Sequence, residues 1–299
     1  MLTKTKKYIR FGLTLIITTA ILTYLFQEIP FANVLNLIKE ADFKIILLAL
    51  GISFVNNFLV SAHRWKAILK YLGCPISLKD SLLIKIGSNP IISILPWKTG
   101  EFFRPLYLKR FRGISYSKSA FSIISEYTLN ILALAFPILI GLIIYLSHNN
   151  NLNFNLPKTI GIVFLYLSFL SVKHSNYYTL FKMYLKKLEG LFKNKSILSY
   201  TFLFMFGELF NIYLLSKALH SPLPLYAILI FVPIVILVSG LPVTILGLGT
   251  REAAILFFFF KFAPPETLLS LGILYSFVEH LAPMIIGVSL SGLFLSRIF

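Results

Sequence analysis

Long apolar runs alternate with short polar connections along this chain, and most of the runs approach the length needed to cross a bilayer. About twenty apolar residues in a helix cover the hydrocarbon core. Full spans are predicted at residues 11–26, 43–62, 120–146, 158–172, 197–216 and 268–295. Two further apolar runs are interrupted. Residues 81–97 are broken at Ser88-Asn89-Pro90 and again at Pro96, and they hold Lys85. At 1.5 Å per residue, a run of that length broken near its middle gives two arms of roughly 12 Å, too short to cross. It is predicted as a re-entrant hairpin. Residues 225–262 are interrupted by Ser239-Gly240-Leu241-Pro242 and by Gly247-Leu248-Gly249-Thr250-Arg251-Glu252.

Charge orients these elements. Cations concentrate in the N-terminal segment, in the connections 63–80, 98–118 and 173–196, and at Arg297; together these hold 21 of the 28 Lys and Arg. Under the positive-inside rule that face is cytoplasmic, and both termini lie there. The connection 27–42, with Glu28, Glu40 and Asp42 against Lys39, and the uncharged Asn-rich loop 148–156 fall outside. Parity then requires 225–262 to begin and end outside, which makes it a second hairpin entering from the opposite face. Two broken hairpins of opposite entry are what an inverted repeat produces, and such folds hold substrate at the repeat interface. The expected fold is an all-α polytopic membrane protein with about six full spans and two hairpins (81–97 and 225–262). It forms one integral domain over residues 1–299.

Composition narrows the function classes. Only 13% of residues are charged and 57% are hydrophobic, whereas soluble domains carry about a quarter charged residues. Cys74 is the only cysteine, so there is no disulfide framework. The net charge of +17 alone suggests a nucleic-acid surface, but the sidedness of the cations accounts for it as membrane orientation. The histidines show no i, i+4 ligand pairing, and no metal or cofactor is expected.

Ionisable residues at bilayer depth are costly and face a cavity or a partner. Glu126, with Asn130 one turn on, Glu208, with Asn211 three residues on, and Glu279-His280 all fall inside predicted spans. Arg251 and Glu252 follow the glycine loop of the second hairpin, and Glu101 and Arg104 follow the first. Thr250 is a good N-cap and Glu252 suits a first turn, so a helix N-terminus with Arg251 could hold a phosphate. The same loop also fits a tight turn in which Arg251 pairs with Glu252, Glu279 or Glu208.

Arg64-Trp65, Asn89, Leu95-Pro96, Gly100-Glu101, Arg104, Ser125-Glu126, Pro242 and the Gly247–Ala254 stretch follow the order and approximate spacing of a known family. Over about residues 10–295 the chain resembles the lysylphosphatidylglycerol synthase transmembrane region, a flippase-like integral membrane family. The resemblance implies a membrane domain that moves a charged-headgroup lipid between leaflets. It departs from the family pattern at Asn130, where an acidic residue is frequent, and at Pro242-Val-Thr-Ile-Leu-Gly247, which is usually richer in glycine. Those synthases carry a soluble aminoacyl-transfer domain, and with the chain ending at Phe299 lysyl-phosphatidylglycerol synthesis is not expected.

The function expected is therefore translocation of a phospholipid or polyprenyl-phosphate lipid, with Arg104, Arg251, Glu101, Glu126, Glu208, Glu252 and Glu279 at the headgroup site. Arg64, Trp65, Asn89, Pro96, Gly100, Pro242, Gly247 and Gly249 form the structural motif. Alternatives are an intramembrane lipid-modifying enzyme and a noncatalytic partner of a lipid- or glycan-modifying enzyme. Partners expected are membrane lipids, chiefly anionic, with a homodimer or a partner enzyme and no nucleic acid. The location expected is the plasma (inner) membrane of a prokaryote.

Overall fold

The computed structural model describes residues 4–148, 178–241 and 243–298. Their regular structure is all helical, with no strand among the described residues. In chain order the helices are α1 (Lys4–Glu28), α2 (Phe31–Glu40), α3 (Phe43–Tyr71), α4 (Leu78–Ile94), α5 (Phe103–Arg112) and α6 (Tyr116–Ser147), followed by α7 (Tyr178–Lys193), α8 (Lys195–Ala218), α9 (Leu225–Ser239), α10 (Thr250–Phe259) and α11 (Pro265–Ser296). Helices α3, α6, α8 and α11 are each long and apolar enough to cross a membrane, and Gly12–Glu28 with the bent helix that follows it is a fifth candidate. The expected span at 158–172, the loop 148–156 beyond His148, and Pro242 lie outside the described residues.

Contacts place the ends of the bundle. At one end the Asp42 amide donates to Ala218 O at 2.9 Å, and the Tyr145 and Tyr226 rings lie 5.4 Å apart. At the other, Arg112 pairs with Asp80, Arg110 donates to Ile298 O, and the Lys187 ammonium sits 5.3 Å from the Phe121 ring. This second end gathers the basic connections of the sequence. Helix α3 therefore runs from the first end to the basic end, α6 and α8 run back, and α11 returns to the basic end.

Two hairpins enter from opposite ends. Helices α9 and α10 form the one at the first end, closed at its mouth by the Tyr226 and Phe262 rings at 6.0 Å and along its length by Phe231 against Phe258 at 5.7 Å. Its limits are those the apolar pattern predicts. The other hairpin differs from expectation. Helix α4 continues unbroken through Ser88-Asn89-Pro90 to Ile94, and the chain turns only at Leu95. It returns through the 3-10 segment Pro96–Phe102 and α5, so the hairpin spans 78–112 rather than 81–97. A proline normally breaks a helix by removing one amide and crowding the preceding turn. Here α4 lies along α11 where Gly287 has no side chain: a Cβ there would meet Ile86 O at 2.7 Å and Pro90 Cδ at 2.8 Å. The proline is thus accommodated inside a helix seated closely against α11.

The 27–42 connection also differs. It contains α2, bent 86° from α1. Its apolar face is anchored by Val34, which is buried, and its acidic end supplies the cap of the next helix, with Asp42 accepting from Lys44 N at 2.9 Å. Sparse acidic charges read as a loop, whereas the apolar positions repeat with helical period.

Candidate functional site

The arms of the 78–112 hairpin, below its turn at Leu95, join a buried ionic network. Arg64 on α3 reaches two positions on one face of α6, donating from Nη2 to Glu126 Oε1 at 2.9 Å and from Nη1 to Asn130 Oδ1 at 2.6 Å. Lys85 on α4 donates to the same Glu126 oxygen at 2.5 Å. Arg104 on the return arm lies 3.6 Å from Glu126 Oε2 and 3.1 Å from Glu101 Oε2, and Tyr127 donates to Glu101 at 2.6 Å. Trp65 backs the network, its ring 5.7 Å from both Lys85 Nζ and the Arg104 guanidinium carbon. Three cations thus share two carboxylates, and Arg64, Lys85, Arg104 and Glu126 are all buried. Charges removed from water persist only when they are mutually compensated, and this density of contacts supplies the compensation. The hairpin closes tightly because Gly100 lies against α4, where a Cβ would come within 2.5 Å of Ile92 Cα.

Around the other hairpin tip the charged side chains meet neutral partners. The loop between α9 and α10 takes left-handed φ at Leu246, Gly247 and Gly249. Gly249, not Thr250, is the N-cap of α10, and its amide donates to Glu252 at 2.6 Å. Thr250 is the first helical residue, its hydroxyl donating to Gly247 O at 3.0 Å. The carboxylate of Glu252 therefore occupies the amide that a phosphate would need, as in half of a capping box. Arg251 pairs with none of the carboxylates the sequence offers. It donates to Ser276 Oγ at 2.7 Å and to Leu246 O at 3.0 Å, while its buried Nε has no partner. Ser276 in turn donates to Glu252.

Glu279 lies nearby in a π-helical turn of α11, Phe277–Leu281. It accepts from Asn57 Nδ2 at 3.0 Å, from Ser53 Oγ at 3.1 Å and from Asn211 Nδ2. Asn57 itself stands in a π-helical turn of α3, Val55–Val60. Such wide turns concentrate at functional sites.

Between the hairpin tips lies a cavity of about 380 Å³. Its walls are the ends of α4 and α9, the 240–247 loop, and the middle of α3, α6, α8 and α11. Arg251 and Glu208 line it, with Asn57, Asn130, Tyr127 and His280. Among the headgroup candidates, Arg251 and Glu208 thus face this space directly. Arg104, Glu101 and Glu126 stand behind Tyr127 and Asn130, and Glu279 behind Asn57. Among the motif residues, Asn89 and Gly247 also line the cavity, Arg64 and Trp65 belong to the network, and Pro96 starts the return arm.

Sequence reasoning missed Arg64 and Lys85 as partners of Glu126, and Ser276 as the joint between Arg251 and Glu252. A signal for the second hairpin tip was present. Ile94, Leu95, Thr99 and Glu101 recur as Ile245, Leu246, Thr250 and Glu252 at one constant offset, and Ser93 corresponds to Thr244. Both glutamates accept a hydroxyl from the helix that follows their hairpin, Tyr127 in one case and Ser276 in the other.

The family model described as the lysylphosphatidylglycerol synthase TM region matches residues 11–287. The chain belongs to this family. Among curated proteins, none matches it. The match covers both hairpins, the ionic network and the cavity. As a member of the lysylphosphatidylglycerol synthase transmembrane-region family with long apolar helices, the protein is integral to a membrane and multi-pass.

Proposed function

We propose that the protein is a lipid translocase that passes a charged headgroup through the cavity between the hairpin tips while the acyl chains stay in the bilayer. The observation that carries this reading is the cavity itself, with a buried Arg251 lacking any carboxylate partner on its wall. An arginine held only by neutral acceptors keeps its charge available to an anionic group, and phosphate is the common anion of membrane lipids. The arrangement α3, hairpin, α6 and the arrangement α8, hairpin, α11 run in opposite senses and share the recurring Ile-Leu, Thr and Glu positions. This supports an inverted repeat with its site at the interface of the halves.

In this reading no covalent bond is made or broken, and the partners are membrane lipids, the anionic ones drawn to the basic end at about 1 kcal/mol per cation near the surface. That end faces the cytoplasm of a prokaryotic cell with both termini. The test is reconstitution into vesicles with fluorescent lipids in one leaflet and dithionite quenching of those exposed outside. Leaflet exchange accelerated by the protein is expected for anionic phospholipids or polyprenyl phosphates. Folded protein that accelerates none of them would remove the translocase reading.

A further inference from the structure

Glu208, half-buried within the bundle, differs from the other carboxylates there. Glu101, Glu126, Glu252, Glu279 and Asp80 each accept named hydrogen bonds or pair with a named cation. Glu208, near the middle of α8, lines the cavity and makes no hydrogen bond or ion pair among the described residues. Arg251 lines the same cavity and is bonded elsewhere. A carboxylate and a guanidinium thus share one small space without touching.

An ionised carboxylate at bilayer depth costs several kcal/mol unless something neutralises it. The groups placed to influence Glu208 come from each wall. From α3 these are Asn57 and, behind it, Arg64; from α6, Tyr127 and Asn130. The α10 end brings Arg251, and α11 brings Tyr275 and His280 with Glu279 behind them. The α4 end contributes only the neutral Asn89 and Ser93. The nearest charges are mixed in sign and none is in contact, so its charge is left for a mobile species to balance. The smallest such species is a proton.

We propose that Glu208 is a proton-exchange site that couples headgroup transfer to the proton gradient across the membrane. The inference rests on the translocase reading. When the cavity is open to one side, a Glu208 carboxylate oxygen takes a proton from water there and becomes a neutral acid. When the cavity opens to the other side, the same oxygen returns the proton to water, and no other reactant is consumed.

The test reads a final distribution rather than a rate, so a slow variant remains informative. The protein is reconstituted in phosphatidylethanolamine and phosphatidylglycerol vesicles with fluorescent phosphatidylglycerol as the probe, and leaflet occupancy is measured at steady state with and without a one-unit pH gradient. One proton per lipid sustains a tenfold leaflet asymmetry, which is about 1.4 kcal/mol. The wild type is expected to approach that asymmetry, Glu208→Gln to equilibrate to equal leaflets under the same gradient, and Glu208→Asp to restore part of it. Wild-type exchange that ends symmetric despite the gradient would overturn the proposal while leaving the translocase standing. The same holds for an asymmetry that survives in Glu208→Gln, or one that follows a sodium gradient at equal pH. Absence of any wild-type exchange of the probe would overturn the proposal together with translocation of that lipid.

Discussion

Beside the arms of the 78–112 hairpin, Glu126 is held by Arg64, Lys85 and, more distantly, Arg104, whereas Glu279, beside the other hairpin, is held by two amides and a hydroxyl. The positions are comparable: each glutamate lies on the helix after its hairpin and is reached from the helix before it, by Arg64 in one case and Asn211 in the other. The chemistry is not. The first hairpin spends its cations on internal pairs and presents only neutral groups, Asn89 and Ser93, to the cavity. The second leaves Arg251 without a carboxylate and presents it there. The two hairpins thus differ in how their charges are held: one is fastened by buried ion pairs, and the other leaves a guanidinium without a carboxylate on the cavity wall.

The largest effect should come from breaking the first cluster. Glu126→Gln leaves three buried cations facing one remaining carboxylate and is expected to cost about 3–5 kcal/mol, because an uncompensated buried charge is far more expensive than a lost contact. Glu279→Gln, whose partners are all neutral, should cost less, about 1–3 kcal/mol. Thermal unfolding in detergent, followed by size-exclusion chromatography, compares them directly, and equal losses would dissolve the contrast. Arg251→Gln should slow leaflet exchange by about tenfold or more, the worth of a charged hydrogen bond of about 1.5–3 kcal/mol, while unfolding later than Glu126→Gln. A variant that loses stability but no transport would place Arg251 with the fastening residues. Gly100→Ala forces the return arm away from α4 and should cost about 1–3 kcal/mol. The smallest change is Ser53→Ala, which removes one of three donors to Glu279 and should lower stability by about 0.5–1.5 kcal/mol.

These contrasts also show what a linear reading can reach. The second hairpin was legible because Gly240, Gly247 and Gly249 punctuate an otherwise apolar run, although Pro233 in the same run sits inside α9 without ending it. The first was displaced because Pro90 looks like a break until Gly287, nearly two hundred residues later, is seen to lie against it. The intramembrane carboxylates were visible as residues out of place in apolar surroundings. Their partners were not: Arg64 follows a span in the company of Trp65 and Lys66, the ordinary signature of an interface anchor, and only the tertiary fold carries it to Glu126. Arg251 offered three plausible carboxylates in the sequence, and the fold gives it a serine and a carbonyl instead.

The two π-helical turns, at Val55–Val60 and Phe277–Leu281, have a consequence for how these helices tolerate change. In an α-helix each residue advances the azimuth by about 100°. A π-helical turn carries one residue more than an α turn for about the same rotation, so a deletion within Val55–Val60 is absorbed there. A deletion between that turn and Arg64 would instead swing Arg64 off Glu126 by roughly 100°. Likewise a deletion within Phe277–Leu281 is absorbed, whereas one between Ala282 and Ile286 would turn Gly287 away from Pro90 and leave α4 without its seat. Each wide turn therefore acts as a phase adjuster, which lets one helix address the cavity with its first half and a hairpin with its second.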